Sequence, residues 1–370
     1  MTDKNALQRL YAEHGQSPWI DFIDRDLITS GRLAGLVDDG IRGLTSNPTI
    51  FAKAVAGGEY NDLIRREIDA GDDNRTIYEE IAVGDVGDAA DILRGIYDAS
   101  DGTDGFVSIE VEPDLADDTK ATLERARHLW GRLERPNVFV KIPATPAGLP
   151  AIEDAVAEGI NINITLMFSV DVYRDVARAY IAGLRRRKER GEPIDRVASV
   201  ASFFVSRVDT KVDKALDAVG TDAARALRGQ AAIANARQAY AAYGEIFGGT
   251  EFAGLRAAGA RVQRCLWAST STKNPDYRDV LYVEELIGPD TVNTMPLETI
   301  QAFLDHGRVE RTLDSDLRGA DAIIARIEEQ GISMRQVTDE LITEGVAAFA
   351  KSFDELLEAI ETQRKALATA

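Results

Sequence analysis

One lysine interrupts an otherwise apolar segment of this chain. The segment NVFVKIPAT begins at Asn137 and contains Lys141 between two aliphatic residues. On the two-residue period of a β-strand, Lys141 shares a face with Phe139, while the aliphatic side chains occupy the other face. Pro143 cannot donate a hydrogen bond to a neighbouring strand, so we expect the strand to end there. The lysine therefore lies near the end of a predicted buried strand.

A lysine in this position has two interpretations. A buried ammonium is costly unless it is paired, so Lys141 is either an ion-pair partner of Glu110 or Asp21 or a reactive amine. A neutral lysine amine attacks carbonyl groups and forms a Schiff base. Both carboxylates also lie in apolar runs, as IEV and IDF. The lysine strand alone leaves both interpretations open.

Polar residues also end most of the other apolar runs. Two carboxylates near one lysine can act as general acid and base, typically through a water molecule. Thr165 and Asn163 can orient that water or hold substrate hydroxyls. The polar strand-end residues are Asp21, Asn47, Glu110, Lys141, Asn163, Thr165, Ser202 and Ser269. Gathered at one end of a sheet, they would form the polar active site that is typical of a barrel enzyme.

About eight short apolar runs alternate with segments of helical period. This alternation predicts a parallel sheet, and about eight such units predict a closed (β/α)8 TIM barrel. The segment from about 54 to 105 is mostly of helical period and is expected to add helices at the rim. The segment from about 334 to 370 also has helical spacing and is expected to pack over the barrel. We predict one domain over residues 1–370.

Composition excludes several function classes. The formal net charge is -19, which disfavours binding to nucleic acid. With one cysteine and three histidines, neither a cysteine metal cluster nor a His-based triad or metal site is expected. The N-terminus lacks an apolar signal core, and no apolar run is long enough to span a membrane. We therefore expect a cytoplasmic protein that contacts neither membranes nor nucleic acid.

Six segments together resemble the transaldolase family in its longer bacterial form. They occur in order along nearly the whole chain, and together they are far more specific than any one alone. The segments are GLTSNPTIFAKA, VSIEVEPDLADDT, NVFVKIPATPAGLPAIE, GININITLMFSVDVY, VASFFVSRVD and LWASTSTKNPDYRDVLYVEELIGPDTVNTMP. The resemblance implies a (β/α) barrel and a Schiff-base mechanism without metal or organic cofactor. It implies transfer of a dihydroxyacetone unit from sedoheptulose 7-phosphate or fructose 6-phosphate to glyceraldehyde 3-phosphate or erythrose 4-phosphate, in the non-oxidative pentose phosphate pathway.

The resemblance also assigns roles to residues. Lys141 matches the nucleophile, and Asp21 matches the acid/base at the C4 hydroxyl of the substrate. Glu110 and Thr165 match the pair that activates a catalytic water. The matches to substrate-hydroxyl ligands are Asn47 and Asn163.

The phosphate end of the substrate is assigned by the same resemblance. Arg207 matches a phosphate-binding arginine, and Ser202 and Ser269 match nearby hydroxyl positions. Shorter relatives carry a second arginine after the seventh strand, where this chain offers Lys273, a point charge without the bidentate fork. Phe204 stands where the related fructose 6-phosphate aldolases have a tyrosine, which favours transfer over release of free dihydroxyacetone.

Several alternatives remain open at this point. Glu112 lies two residues beyond Glu110 and competes with it for the water-activating role, and Arg207 has a possible partner in Asp209. The alternative functions are a lyase that releases dihydroxyacetone and a non-catalytic barrel that binds sugar phosphates. The expected oligomeric state is a monomer or a homodimer.

Overall fold

The fold centres on a single sheet of parallel strands. A computed structural model describes residues 4–368. Seven regular strands follow one another around the sheet in the order β1-β7-β6-β5-β4-β3-β2, and every pairing is parallel. The strands are β1 Gln16–Ile20, β2 Val107–Glu110, β3 Val138–Pro143, β4 Ile162–Met167, β5 Ser199–Phe204, β6 Gln263–Ala268 and β7 Thr291–Met295.

A short extended segment closes the sheet into a barrel. Leu44 bridges to Ile20 at the end of β1 and to Val107 at the start of β2. The N–H of Leu44 donates to the carbonyl of Phe106, and the N–H of Ser108 donates to the carbonyl of Leu44, at 2.9 and 3.0 Å. The predicted TIM barrel is thus confirmed, with its second strand reduced to the residues around Leu44.

Gly43 explains why this closing segment runs so close to β1. A β-carbon at Gly43 would lie 2.3 Å from the indole ring of Trp19. The Trp19 ring stacks on Phe139, and Phe139 stacks on Phe106, with ring centroids 6.1 and 4.2 Å apart. These aromatic side chains fill the barrel below the polar strand ends, so the site rests on a packed floor.

Helices surround the barrel, and two of them, Asn61–Ala70 and Asn74–Ala99, lie in the segment expected to be helical between residues 54 and 105. The helices are α1 Ala6–His14, α2 Arg25–Thr29, α3 Arg32–Asp38, α4 Pro48–Ala56, α5 Asn61–Ala70, α6 Asn74–Ala99, α7 Thr119–Leu133, α8 Gly148–Glu158, α9 Val170–Glu189, α10 Ser206–Val219, α11 Asp222–Arg225, α12 Ala231–Gly248, α13 Thr250–Arg256, α14 Leu281–Glu285, α15 Leu297–His306, α16 Leu317–Glu329 and α17 Met334–Ala368, with a 3₁₀ turn at Pro113–Leu115. Within residues 4–368, none of these helices is long and apolar enough to cross a membrane.

The C-terminal segment forms one helix of 35 residues, α17. Its buried residues include Phe353, Leu356 and Ile360, which join the main hydrophobic core. The helix packs chiefly against α4, and also against α5, α6 and α10. It therefore spans from the C-terminal end of the barrel to the rim helices, as its periodicity predicted. That residues 1–370 form one domain stays a prediction.

Candidate active site

A cavity of about 660 Å³ opens at the C-terminal ends of the barrel strands. The strand direction explains its position, because every parallel strand directs its last residues toward this end. Nine of the residues singled out in the sequence line it: Asp21, Asn47, Lys141, Thr165, Ser202, Phe204, Arg207, Ser269 and Lys273. The two that do not line it are Glu110 and Asn163.

Lys141 points from β3 into the barrel and is 6% exposed. It lies opposite Glu110 in the register between β2 and β3, and its Nζ contacts a carboxylate oxygen of Glu110. Nζ also donates to the carbonyl oxygen of Ser46 at 3.3 Å. The ion pair considered from the sequence is therefore present, but it lies at the wall of an open cavity. Such a pair can release a neutral amine once the carboxylate accepts the proton.

Burial favours that proton transfer. Removal from water raises the pKa of Glu110, the positive charge of Lys141 opposes the rise, and the charge of Asp21 adds to it. A carboxylate with a raised pKa is a stronger base for the ammonium proton.

Glu112, the alternative to Glu110, has a different role in the structure. Its two carboxylate oxygens contact the guanidinium of Arg125 in α7, at 2.6 and 2.7 Å. Arg125 also pairs with Glu79 of α6 at 2.6 Å. Glu112 therefore joins the outer helices to the end of β2, and it is not available to activate a water.

A second, much smaller cavity lies against the lysine. It measures about 20 Å³, which is room for one water molecule, and Glu110, Lys141, Thr165 and Phe349 are among the residues that line it. Thr165 Oγ1 is buried and has no hydrogen-bond partner among the described residues. A buried hydroxyl without a partner is costly unless a water or ligand group satisfies it. The hydroxyl and the neighbouring carboxylate provide the polar partners that one bound water needs.

Asp21 follows directly after β1 and faces the same cavity. Thr45 Oγ1 lies 2.7 Å from Asp21 Oδ1, to which it donates, and 2.8 Å from the hydroxyl of Thr294. The backbone N–H of Asp21 donates to the carbonyl of Met295 at 2.9 Å. Residues from both ends of the chain thus orient this carboxylate.

The remaining polar positions differ in how they meet the cavity. Asn47 caps α4, where its Oδ1 accepts from the N–H of Ile50 at 3.3 Å, so its amide nitrogen remains for a ligand. Asn163 is fully buried beneath the cavity, donates to Ser108 Oγ at 3.0 Å and accepts from Ser202 Oγ at 2.7 Å. Asn163 orients Ser202, and its role as a direct substrate ligand stays a prediction.

Arg207 lies at the other end of the cavity without an acidic partner. Among the described residues, no carboxylate lies within ion-pair distance of it, while Asp209 instead accepts from the N–H of Ala232 and from the hydroxyl of Tyr282, at 2.7 and 2.8 Å. Burial lowers the pKa of Arg207, and its guanidinium lies 4.9 Å from the ring centroid of Phe204. The Arg207–Asp209 pair, which was the alternative in the sequence, is therefore absent, and Arg207 is available to bind an anion.

The N-terminus of α10 and the side chain of Lys273 add positive potential near Arg207. Helix α10 begins at Ser206 without a side-chain cap, and a helix N-terminus favours anions. Ser269 adopts a positive φ of 57°, and its hydroxyl lies 2.9 Å from that of Ser206. Lys273 also lines the cavity and donates to Ser271 Oγ at 2.7 Å.

The residues that line this cavity include several that the sequence did not single out, among them Thr45, Thr294, Lys53 and Phe349. Thr45 and Thr294 fix Asp21, Lys53 adds an exposed cation at the mouth, and Phe349 of α17 borders both cavities. Thr45 and Thr294 end apolar runs, and the same signal that identified the other strand-end residues applies to them. Phe349 carries no such signal, since it is one apolar position among many in a long amphipathic helix.

Comparison with known proteins agrees with this geometry. The family model described as transaldolase/fructose-6-phosphate aldolase matches residues 18–360. A transaldolase of Mycolicibacterium paratuberculosis is 48% identical over 369 residues, covering 99% of this chain and 98% of the relative. Transaldolases of Parafrankia sp. and Thermobifida fusca are 49% and 48% identical, covering 94% and 97% of this chain and 95% and 98% of the relatives.

Proposed function

Since this chain belongs to the transaldolase family, we propose that the amine of Lys141 forms a Schiff base with the ketone of a ketose phosphate. The protein is a transferase that moves a dihydroxyacetone unit from a ketose phosphate to an aldose phosphate. The observation that carries the residue assignment is the position of Lys141: it lies at the wall of the strand-end cavity and in contact with Glu110.

The first step forms the imine. Glu110 accepts the ammonium proton of Lys141, and the neutral amine adds to the C2 carbonyl of the ketose phosphate. The resulting carbinolamine loses its hydroxyl as water once that oxygen is protonated. Glu110 supplies this proton through the water held between its carboxylate and the Thr165 hydroxyl. The product is a positively charged iminium on Lys141.

The second step breaks the C3–C4 bond. Asp21 removes the proton from the C4 hydroxyl, the C4 oxygen forms a carbonyl, and the electrons of the C3–C4 bond move into the iminium. An aldose phosphate leaves, and a dihydroxyacetone enamine remains on Lys141. The hydrogen bond from Thr45 to Asp21 holds the carboxylate toward the cavity.

The third step transfers the unit. The enamine carbon attacks the aldehyde of an acceptor aldose phosphate, Asp21 returns its proton to the new C4 oxygen, and water then hydrolyses the iminium. Phe204 lines the cavity but carries no hydroxyl, so it cannot protonate the enamine and release free dihydroxyacetone. This supports transfer as the main reaction.

The phosphate of the sugar is assigned to Arg207, with Ser269 and Lys273 beside it. A partly buried guanidinium without an acidic partner offers strong, charge-assisted hydrogen bonds to a phosphate. The acidic chain needs this local cation, because its overall charge of -19 repels anionic substrates.

Borohydride trapping tests the proposal. The protein is incubated with fructose 6-phosphate, reduced and digested, and the modified peptide is identified by mass spectrometry. We expect a reduced three-carbon adduct on Lys141. Lys141→Met should give no adduct, whereas Lys53→Met, a matched change of another lysine at the same cavity, should still be labelled at Lys141.

The outcomes are distinct. An adduct on another lysine, or none from folded protein that still binds the sugar phosphate, would contradict the Schiff-base assignment and leave Lys141 as a structural ion-pair partner. An assay without acceptor separates transferase from lyase, because a lyase would release dihydroxyacetone at a rate similar to that of transfer.

Three further expectations belong to this proposal. The substrates are sugar phosphates, and neither nucleic acid nor membrane is a partner. The reaction takes place in the cytoplasm, and the protein is a monomer or a homodimer. Size-exclusion chromatography with light scattering distinguishes these two oligomeric states.

A further inference from the structure

One apolar side chain from α17 reaches the catalytic lysine, although α17 contributes no strand end. Phe349 lines both the large cavity and the small cavity beside Glu110 and Thr165. The centroid of its ring lies 5.8 Å from Lys141 Nζ. Phe349 is only partly buried.

The backbone of α17 is seated closely enough to hold this ring in place. One turn before Phe349, on the same face of the helix, a β-carbon at Gly345 would lie 3.0 Å from Leu166 of β4. Leu166 itself adopts a positive φ of 57°, at a break in the register between β4 and β5. The absence of a side chain at Gly345 therefore allows the helix to approach the end of the strand that carries Thr165.

Polar contacts fix α17 on both sides of this approach. Lys211 of α10 pairs with Glu340 and Glu344 at 2.7 and 2.6 Å. On the other side, Thr49 of α4 donates to Ser352 Oγ at 3.0 Å. The segment that carries Phe349 is thus held to two different helices that border the site.

Excluding water from this site would protect the enamine intermediate. The enamine is lost if its carbon takes a proton, water adds to the resulting iminium carbon and the C–N bond breaks, which frees dihydroxyacetone and the lysine amine. The small cavity, which Glu110 and Thr165 line, has room for one water molecule. A site closed to further water prevents this side reaction.

We propose that Phe349 closes the water site beside Lys141 and so protects the lysine-bound three-carbon intermediate until an acceptor aldose arrives. Phe349 is a positioning residue rather than a catalytic one, because it excludes solvent and exchanges no proton. This proposal rests on the Schiff-base function proposed above.

The test compares three variants of the full-length protein: Phe349→Ala, Phe349→Leu and Phe353→Ala. Phe353 lies one turn further along α17 and packs on Tyr78, with ring centroids 5.3 Å apart, but does not line the cavity. It is the matched control, since the same truncation there loosens the helix without opening the water site.

Two rates are measured with fructose 6-phosphate as donor: release of free dihydroxyacetone without acceptor, and transfer to glyceraldehyde 3-phosphate. Phe349→Ala should raise the ratio of release to transfer by about tenfold or more. Such a rise corresponds to a modest change in the difference between the activation free energies of the two reactions. Phe349→Leu should raise it less, and Phe353→Ala should leave it near the wild-type value. The lifetime of the borohydride-trappable adduct should shorten in the same order.

An unchanged ratio in Phe349→Ala, or an equal rise in Phe353→Ala, would overturn the proposal. The result remains separate from the proposed function, because trapping on Lys141 in the wild type tests the Schiff base by itself. If wild-type protein forms no adduct, the Schiff-base function fails first; if it forms one and the ratio does not move, only the role of Phe349 fails.

Discussion

At the scale of single residues, the site is defined by which charges have partners and which do not. In the sequence Glu112 competes with Glu110 and Asp209 is a possible partner of Arg207, but the structure gives both carboxylates other partners. The buried hydroxyl of Thr165 has no hydrogen-bond partner among the described residues, and the partly buried Arg207 has no carboxylate partner there. Buried polar groups in this state mark the places where substrate and water are expected to bind.

Arg207 is expected to contribute to the affinity for phosphorylated sugars. Arg207→Ala should raise the KM for fructose 6-phosphate by about 10- to 100-fold, since a hydrogen bond to a charged group contributes about 1.5–3 kcal/mol. The exposed Lys273 is screened by solvent, so Lys273→Ala should have a smaller effect. Steady-state kinetics measure both.

A non-phosphorylated donor supplies the control for this prediction. With fructose as donor, Arg207→Ala and wild type should differ little, because fructose has no phosphate for Arg207 to bind. A similar loss with both donors would show that the arginine supports the fold rather than the phosphate.

Much of this site was predictable from the sequence, for a physical reason. Lys141, Glu110 and Asp21 stand out because a charged residue inside an apolar strand is rare and costly. The pairing of Glu112 with Arg125 was not predictable, because it depends on how α7 packs beside β2. The contact of Phe349 with the lysine depends in the same way on tertiary packing.

At the scale of elements, α10 links the phosphate end of the site to the helices behind it. Asp209 of α10 is 1% exposed and accepts from the first turn of α12 and from Tyr282 of α14. Burial raises its pKa to about 7. Asp213, one turn later, accepts from the N–H of Gly229 and the hydroxyl of Tyr277.

This raised pKa predicts a pH dependence of stability. The folded state binds the Asp209 proton more tightly than the unfolded state does. Protonation of Asp209 therefore stabilises the fold fully below the ordinary pKa of about 4, and this stabilisation is lost as the pH rises toward 7. The loss amounts to at most about 1.4 kcal/mol per pH unit. Asp209→Asn should remove this slope.

Thermal unfolding between pH 5 and pH 8 measures the effect. As the pH rises, the Tm of wild type should fall relative to the Tm of Asp209→Asn. Asp217→Asn, a half-exposed position on the same helix, is the control and should show no such trend. A pH-independent difference between wild type and Asp209→Asn would contradict the prediction.

At the scale of the whole molecule, the barrel has seven regular strands and closes through a segment that is too short to count as a strand. The alternation of apolar runs and helical segments predicted eight strands, and IRGLTSN was one of them. Its backbone still forms hydrogen bonds to both neighbours. The pattern therefore identified the topology correctly, but it did not show that one of the strands would be reduced to isolated bridges.

Closure makes Gly43 a sensitive position. Gly43→Ala would place a β-carbon 2.3 Å from the Trp19 ring, so the floor of the barrel must shift. We expect the free energy of unfolding to fall by about 3 kcal/mol, as overpacking of a dense core does. Urea denaturation measures this change.

Gly95→Ala is the matched control for this variant. Gly95 lies within α6, and a β-carbon there meets nothing within 4 Å. The substitution should stabilise the protein by up to about 1 kcal/mol, because alanine favours a helix more than glycine does. Equal effects of the two substitutions would show that the contact with Trp19 does not constrain closure.

The ring of strands also has a consequence for the order in which the protein assembles. Gln16 of β1 and Thr291 of β7 are separated by 275 residues, whereas Glu110 and Lys141 lie on strands that are adjacent in sequence. Distant contacts are the slowest to form during folding, because a long loop must close first. We therefore expect the lysine and its carboxylate to meet early, and Asp21, whose N–H donates to the carbonyl of Met295, to be positioned only when the ring closes. With the roles proposed above, the group that binds the ketone is expected to be in place before the group that cleaves the carbon chain.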